Sequence, residues 1–151
     1  MQNASPAVNL GLVSGSPGKL TVTDTLTHTL GHITLNSAGA ALTTIITANR
    51  LVNRGGTWTF GTASGTQSLQ IGPGGLTIGG GSTIPVAATT TCTNFISLGG
   101  SVISETNDTV NTISGAGRLL LNGTREFVVA DGAAPTDLSV SAIIADGTGT
   151  G

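Results

Sequence analysis

Gly18-Lys-Leu-Thr-Val22, Gly31-His-Ile-Thr-Leu35, Gly56-Thr-Trp-Thr-Phe60, Gly74-Gly-Leu-Thr-Ile78 and Gly117-Arg-Leu-Leu-Leu121 repeat one phrase: glycine, any residue, apolar, Thr or Leu, apolar. Apolar residues two apart with Thr, Leu or another residue between them fit a strand whose alternate side chains face one core. The copies start 13, 25, 18 and 43 residues apart, and a degenerate copy, Gly100-Ser-Val-Ile-Ser104, divides the longest gap. Fixed content at loose spacing is the mark of a repeat architecture with variable loops.

Working outward, further bursts at Leu69/Ile71 and Leu138/Val140 have the same period, and each burst is bounded by Gly, Asn, Asp or Pro. The strands are short, of about three to five residues. Thr, Ser, Asn and Gly together make 72 of the 151 residues, against 8% charged. Thr suits strands, while Ser, Asn and Gly suit turns and weaken helix interiors. Sandwiches and propellers fit poorly, because hairpin dipeptides are scarce (Asn122-Gly123 is one) and the spacing is uneven. The expected fold is therefore all-β: a parallel β-solenoid, or β-helix, of short Thr/Gly-rich strands without terminal caps. Residues 1–151 form a single solenoid segment, read as part of a longer repetitive chain. Coils of about 20 to 25 residues give about six or seven turns and a rod of about 30 Å. Leu20, Val22, Ile33, Leu35, Leu76, Ile78, Leu119 and Leu121 are expected to share one core.

The stretch Ile113-Ser-Gly-Ala-Gly-Arg-Leu-Leu-Leu-Asn-Gly123 resembles the core of the autotransporter-associated β-strand repeat of bacterial autotransporter-type passenger proteins. Phe127 to Gly132 and Asp137 to Gly147 are similar to the coils that link such repeats. The resemblance covers residues 113–151; upstream only the Gly-x-apolar-Thr-apolar theme continues. It implies a right-handed β-helix, displayed or released outside a bacterial cell.

Composition narrows the partners. With a net charge of −2 and five basic residues, the chain offers no footprint for nucleic acid. No apolar run reaches the length of a membrane span, so no membrane insertion is expected. Cys92 is alone, which excludes an internal disulfide, and it reads as a small buried residue.

No catalytic, cofactor or metal site emerges. The seven carboxylates, Asp24, Glu105, Asp108, Glu126, Asp131, Asp137 and Asp146, mostly occupy strand ends and turns, where Asp ordinarily caps backbone. Asp24, His28 and His32 share a strand face but spread over about 27 Å if extended, so a metal site would need a turn between the two histidines. Gly72 to Gly81 lacks both the Asp of a calcium-binding nonapeptide and the Lys of a phosphate loop, and its glycines read as turn residues. Arg50, Arg54 and Trp58 are a candidate surface-binding cluster, able to stack a sugar or form a cation–π platform; alternatively the Trp fills a corner of a coil and the Arg stems snorkel. The expected role is a structural or adhesive extracellular segment, not an enzyme. Its partners would be neighbouring coils of the same parent chain, identical chains end to end in fibres, or surface polysaccharide. The competing reading is a carbohydrate-binding or carbohydrate-cleaving module on the same fold, which would need carboxylates about 5 to 10 Å apart.

Overall fold

The computed structural model describes residues 7–10 (backbone only), 17–36, 42–62 and 64–147. All of its elements are strands: β1 (Ala7–Leu10), β2 (Lys19–His28), β3 (His32–Leu35), β4 (Thr43–Asn53), β5 (Thr57–Phe60), β6 (Gly65–Ile78), β7 (Thr83–Pro85), β8 (Cys92–Leu98), β9 (Val102–Ser104), β10 (Asn111–Ser114), β11 (Arg118–Leu121), β12 (Phe127–Val129), β13 (Leu138–Val140) and β14 (Ile143–Asp146). Every strand pair is parallel, and partners come from successive coils 23 to 29 residues apart. The chain is a three-sided β-solenoid.

The first side stacks the opening halves of β2, β4 and β6 on β8, β11 and β14. The second stacks the closing halves of β2, β4 and β6 on β9 and β12. The third holds β1, β3 and β5, then β7, β10 and β13. β2, β4 and β6 run through the corner between the first two sides, and the register slips there, between Val22 and Thr25 and between Ala48 and Arg50. A bulge of this kind bends a strand without ending it.

Coils of 23 to 29 residues lie in the upper part of the expected 20 to 25 and beyond it, and the described strands make five turns between β1 and β13, not six or seven. The three corners account for the difference, because each needs residues that belong to no burst.

Alternation along each strand converts into vertical columns. Leu20, Ile46, Leu69, Ile96, Leu119 and Ile144 stand in one register on the first side. Leu26, Leu51, Leu76, Val102 and Phe127 do the same on the second. On the third, Ile33 stacks on Trp58, and Ile84 on Ile113 and Val140. These columns meet in one core. Of the eight residues expected there, Ile33, Leu35, Leu76, Ile78 and Leu119 are buried in it, Leu20 and Leu121 pack against it half-buried, and Val22 is half-buried on the first rung of its column.

The Gly-rich stretch departs from expectation. Gly72 to Gly75 are not a separate turn; they lie inside β6. Gly75, Gly80 and Gly81 have positive φ, as turn glycines would. At Gly75 (φ +74°) a Cβ would come 2.3 Å from the Ser101 carbonyl oxygen of the next coil, so any side chain there would push the coils apart.

Leu119 is fully buried between Ile96 and Ile144. Leu119→Ala should lower the unfolding free energy by about 2 to 5 kcal/mol, read by chemical denaturation, with far-UV circular dichroism still dominated by β-structure. An unchanged midpoint would place Leu119 outside the core.

Candidate functional site

The third side differs from the other two in charge and in continuity. Its six strands read AVNL, HITL, TWTF, TIP, NTIS and LSV, with no Asp, Glu, Lys or Arg. The first side carries Lys19, Arg118 and Asp146 and the second Arg50. On the third side the outward positions form two rows: His32, Thr57, Thr83, Thr112 and Ser139 in one, and Thr34, Thr59, Pro85 and Ser114 in the other. Thr57, Thr59 and Thr83 are exposed.

The ladder on this side is broken once. β5 and β7 are neighbours but are not hydrogen-bonded, which leaves two three-stranded sheets. Proline supplies the cause. Ser82 O accepts from Thr112 N–H and Val86 N–H donates to Ser114 O, so these two residues face β10. Backbone groups alternate between the two edges of a parallel strand, so Thr83 and Pro85 face β5, and Pro85 has no N–H to give. On the other bank Thr57 N–H and Gly61 N–H donate to β3 and its flank. By the same alternation, the backbone groups of Trp58 and Phe60 point into the break. A cleft of about 420 Å³ opens here, lined by the glycines of two turns with Thr57, Trp58, Ser82, Thr83 and Pro85, all uncharged.

A buried polar network holds the floor of the cleft. Trp58 Nε1–H donates to Asn53 Oδ1 at 2.8 Å, and Asn53 Nδ2 donates to Ser82 Oγ at 2.9 Å. Indole nitrogen can only donate, so the Asn53 amide orientation is fixed. His28 Nδ1 lies 3.0 Å from the same Asn53 oxygen and must therefore be the donor. The ring also meets Trp58 edge to face, with centroids 5.2 Å apart. His28 Nε2 is buried without a hydrogen-bond partner. It rests against Gly56, where a Cβ would lie 2.3 Å from it.

The candidate cluster of Arg50, Arg54 and Trp58 is not assembled as a platform. Trp58 is 1% exposed and fills the corner of its coil, so the indole face is not offered to a ligand. Arg50 Nη2 donates to Thr77 Oγ1 at 3.0 Å on the second side. Arg54, in the turn after β4, binds Glu105 through Nε and Nη2 at 2.7 and 2.5 Å. The bonds from Arg54 hold the Glu105 carboxyl below its ordinary pKa, which suits an ion-pair partner and not a general acid. That stabilisation is present above the ordinary carboxylate range and is lost as pH falls through the lowered value.

A turn does separate His28 from His32, yet it does not bring the two histidines and Asp24 together. The bulge and the turn change parity, leaving His28 inside while Asp24 and His32 are exposed. Among the described residues no group of three His, Cys, Asp or Glu side chains could hold a metal. Cys92 is buried as expected, but in polar company: Sγ lies 3.2 Å from Gly61 O and Asn94 Oδ1. No helix is long and apolar enough to cross a membrane among the described residues. No family model, no curated protein and no solved structure matches the chain.

The network is a testable part of this site. Asn53→Ala would leave the Trp58 and His28 N–H groups buried without acceptors, at about 1 to 3 kcal/mol for each. A loss of about 3 kcal/mol or more in unfolding free energy is expected, with a change in Trp58 fluorescence. An unaltered stability and spectrum would show that the hub does not carry the corner.

Proposed function

We propose that the chain is a structural and adhesive segment of a bacterial surface or secreted β-solenoid, contributing length and an uncharged surface that holds neutral polysaccharide. The carrying observation is the charge-free third side, with its outward hydroxyl rows and central cleft, on a scaffold that confines Asp, Glu, Lys and Arg to the other sides and the corners. A neutral sugar polymer offers hydroxyls for the Thr oxygens and C–H faces for the Thr methyls, and it meets no buried or repelled charge. With Trp58 buried, the binding energy is spread over many small contacts, so avidity along a long ligand replaces a single anchor.

The resemblance at residues 113–151 supports the extracellular setting. Its quoted core, Ile113 to Gly123, spans the end of β10, the turn and β11, which is one corner of a coil. On this reading the chain does no covalent chemistry. Its Glu105 carboxylate is engaged by Arg54, and Asp137 Oδ1 accepts from Gly132 N–H within its own turn.

Retention on insoluble chitin and amorphous cellulose, with heparin beads as the charged comparison, tests the proposal. Binding to a neutral polymer should persist in high salt, because it does not rest on charge. Thr59→Glu should weaken it about tenfold or more, whereas Thr21→Glu, the same change at an exposed position on the first side, should not. Absent retention, salt-sensitive retention, or equal losses in the two variants would refute the assignment.

A further inference from the structure

The two banks of the cleft are held together from inside and from outside. β5 and β7 share no ladder bonds, so their spacing is set by the turns that feed them, residues 54–56 and 79–82. Inside, Gly79 N–H donates to Asn53 O at 2.8 Å and Asn53 Nδ2 to Ser82 Oγ. Outside, the Arg54 guanidinium reaches across Gly79 of the next coil to the Glu105 carboxylate of the one after. Gly79 is buried beneath that pair, where a Cβ would lie 2.2 Å from Glu105 Oε2. The turn after Glu105 completes the enclosure: Asn107 Nδ2 donates to Glu105 O, and Asn107 Oδ1 accepts from Gly80 N–H, each at 2.6 Å. Gly80 and Gly81, at φ +65° and +64°, then line the cleft. Glycine makes this wall the softest part of the site, because no side chain of its own restricts the backbone.

We propose that Arg54 and Glu105 are a positioning pair for the cleft: by clasping residues 79–81 they set the shape in which the third side grips a neutral glycan. The inference rests on the polysaccharide reading above and adds how that site is held and how it is released. Two bonds from one guanidinium to one carboxylate fix a plane as well as a distance, which a lone Lys would not do. Acid is the means of release. The hydrogen bonds from Arg54 hold the Glu105 carboxyl below its ordinary range against the opposing effect of partial burial, and the charges of Arg54 and Arg50 add to them. Its column neighbours Gly79 and Ala130 are uncharged, and the acids of the adjoining turns, Asp108 and Asp131, are exposed. A depressed carboxylate contributes above the ordinary range and lets go as pH falls through its lowered value, so the clasp is closed at neutral pH and opens in acid.

Amide exchange and chitin retention, measured on the same variants, test the clasp. Glu105→Gln keeps the shape and removes the charge. At neutral pH it should speed exchange at Gly79 and Gly80 about threefold, leave Leu76 and Val102 unchanged, and lower retention on insoluble chitin by a similar factor. Combining Arg54→Glu with Glu105→Arg reverses the pair and should restore most of both. Relative to Glu105→Gln at the same pH, the advantage of the unaltered chain should vanish once pH falls through the lowered carboxyl value. The glycine amides report the clasp with no ligand present, so its failure and that of the polysaccharide reading are told apart. Unchanged glycine exchange in Glu105→Gln, faster exchange with undiminished retention, no recovery in the reversed pair, or a difference that persists in acid would overturn the proposal.

Discussion

In-register stacking of like side chains is the constraint on which this molecule depends. A strand of three or four residues is too short to be stable alone, and its inward face buries little. Placed above a copy of itself with the same parity, it gains a ladder of backbone bonds and a neighbour for each apolar side chain at once. The Leu20-to-Ile144 column shows the effect: Ile46, Leu69, Ile96 and Leu119 have no exposed surface, while the two ends of the column are partly open. A one-residue slip anywhere would turn Thr inward and Leu outward across a whole rung. Loops can lengthen because register is held by the strands, which is why coils of 23 to 29 residues coexist.

The same constraint explains where polarity is permitted. Most charged residues occupy corners and outward positions, as in the Arg54–Glu105 pair, which joins turns two coils apart across Gly79. Polar groups enter the interior near corners: His28, Asn53, Ser82, Ser104 and Asn111 are buried at the second, and Thr44, Gln67 and Asn94 where β4, β6 and β8 begin. There most find partners within the network, as with Asn111 Nδ2 donating to Ser104 Oγ at 2.9 Å. Where one strand cannot donate, at Pro85, the ladder opens into the cleft beside this network. Structure and candidate function thus share one origin: a local failure of pairing on the one side that carries no charge.

Much of the fold was legible in the sequence, because period-two bursts leave few choices. Gly31-His-Ile-Thr-Leu35 and Gly56-Thr-Trp-Thr-Phe60, read as copies, are indeed stacked with Ile33 on Trp58 and Leu35 on Phe60. Long strands through a corner were not legible: the Pro and Gly at residues 72–75 signal a turn by composition, and only the neighbouring coils at Asn49 and Ser101 force them into β6. The candidate site was less legible still. Trp58 beside Arg50 and Arg54 suggests an exposed platform, but alternation places the indole inward and the guanidinium groups elsewhere. The cleft arises from the pairing of residues 25 or more apart, and a single sequence carries no direct sign of which strand edges meet. Its one local signal was Pro85 at the end of a burst, a residue that a paired central strand does not ordinarily accept.

Residue-resolved amide hydrogen exchange of the dilute chain tests the stacked ladder and its break together. A stacked ladder predicts slow exchange at Thr57, Thr59 and Gly61, whose N–H groups face β3 and its flank, and at Leu76 and Val102 in the continuous sheet. Its break requires fast exchange at Trp58 and Phe60, which face the opening. Equal protection of all five residues from Thr57 to Gly61 would mean that β5 and β7 are paired and the cleft is closed. Fast exchange at Leu76 and Val102 would contradict the solenoid itself.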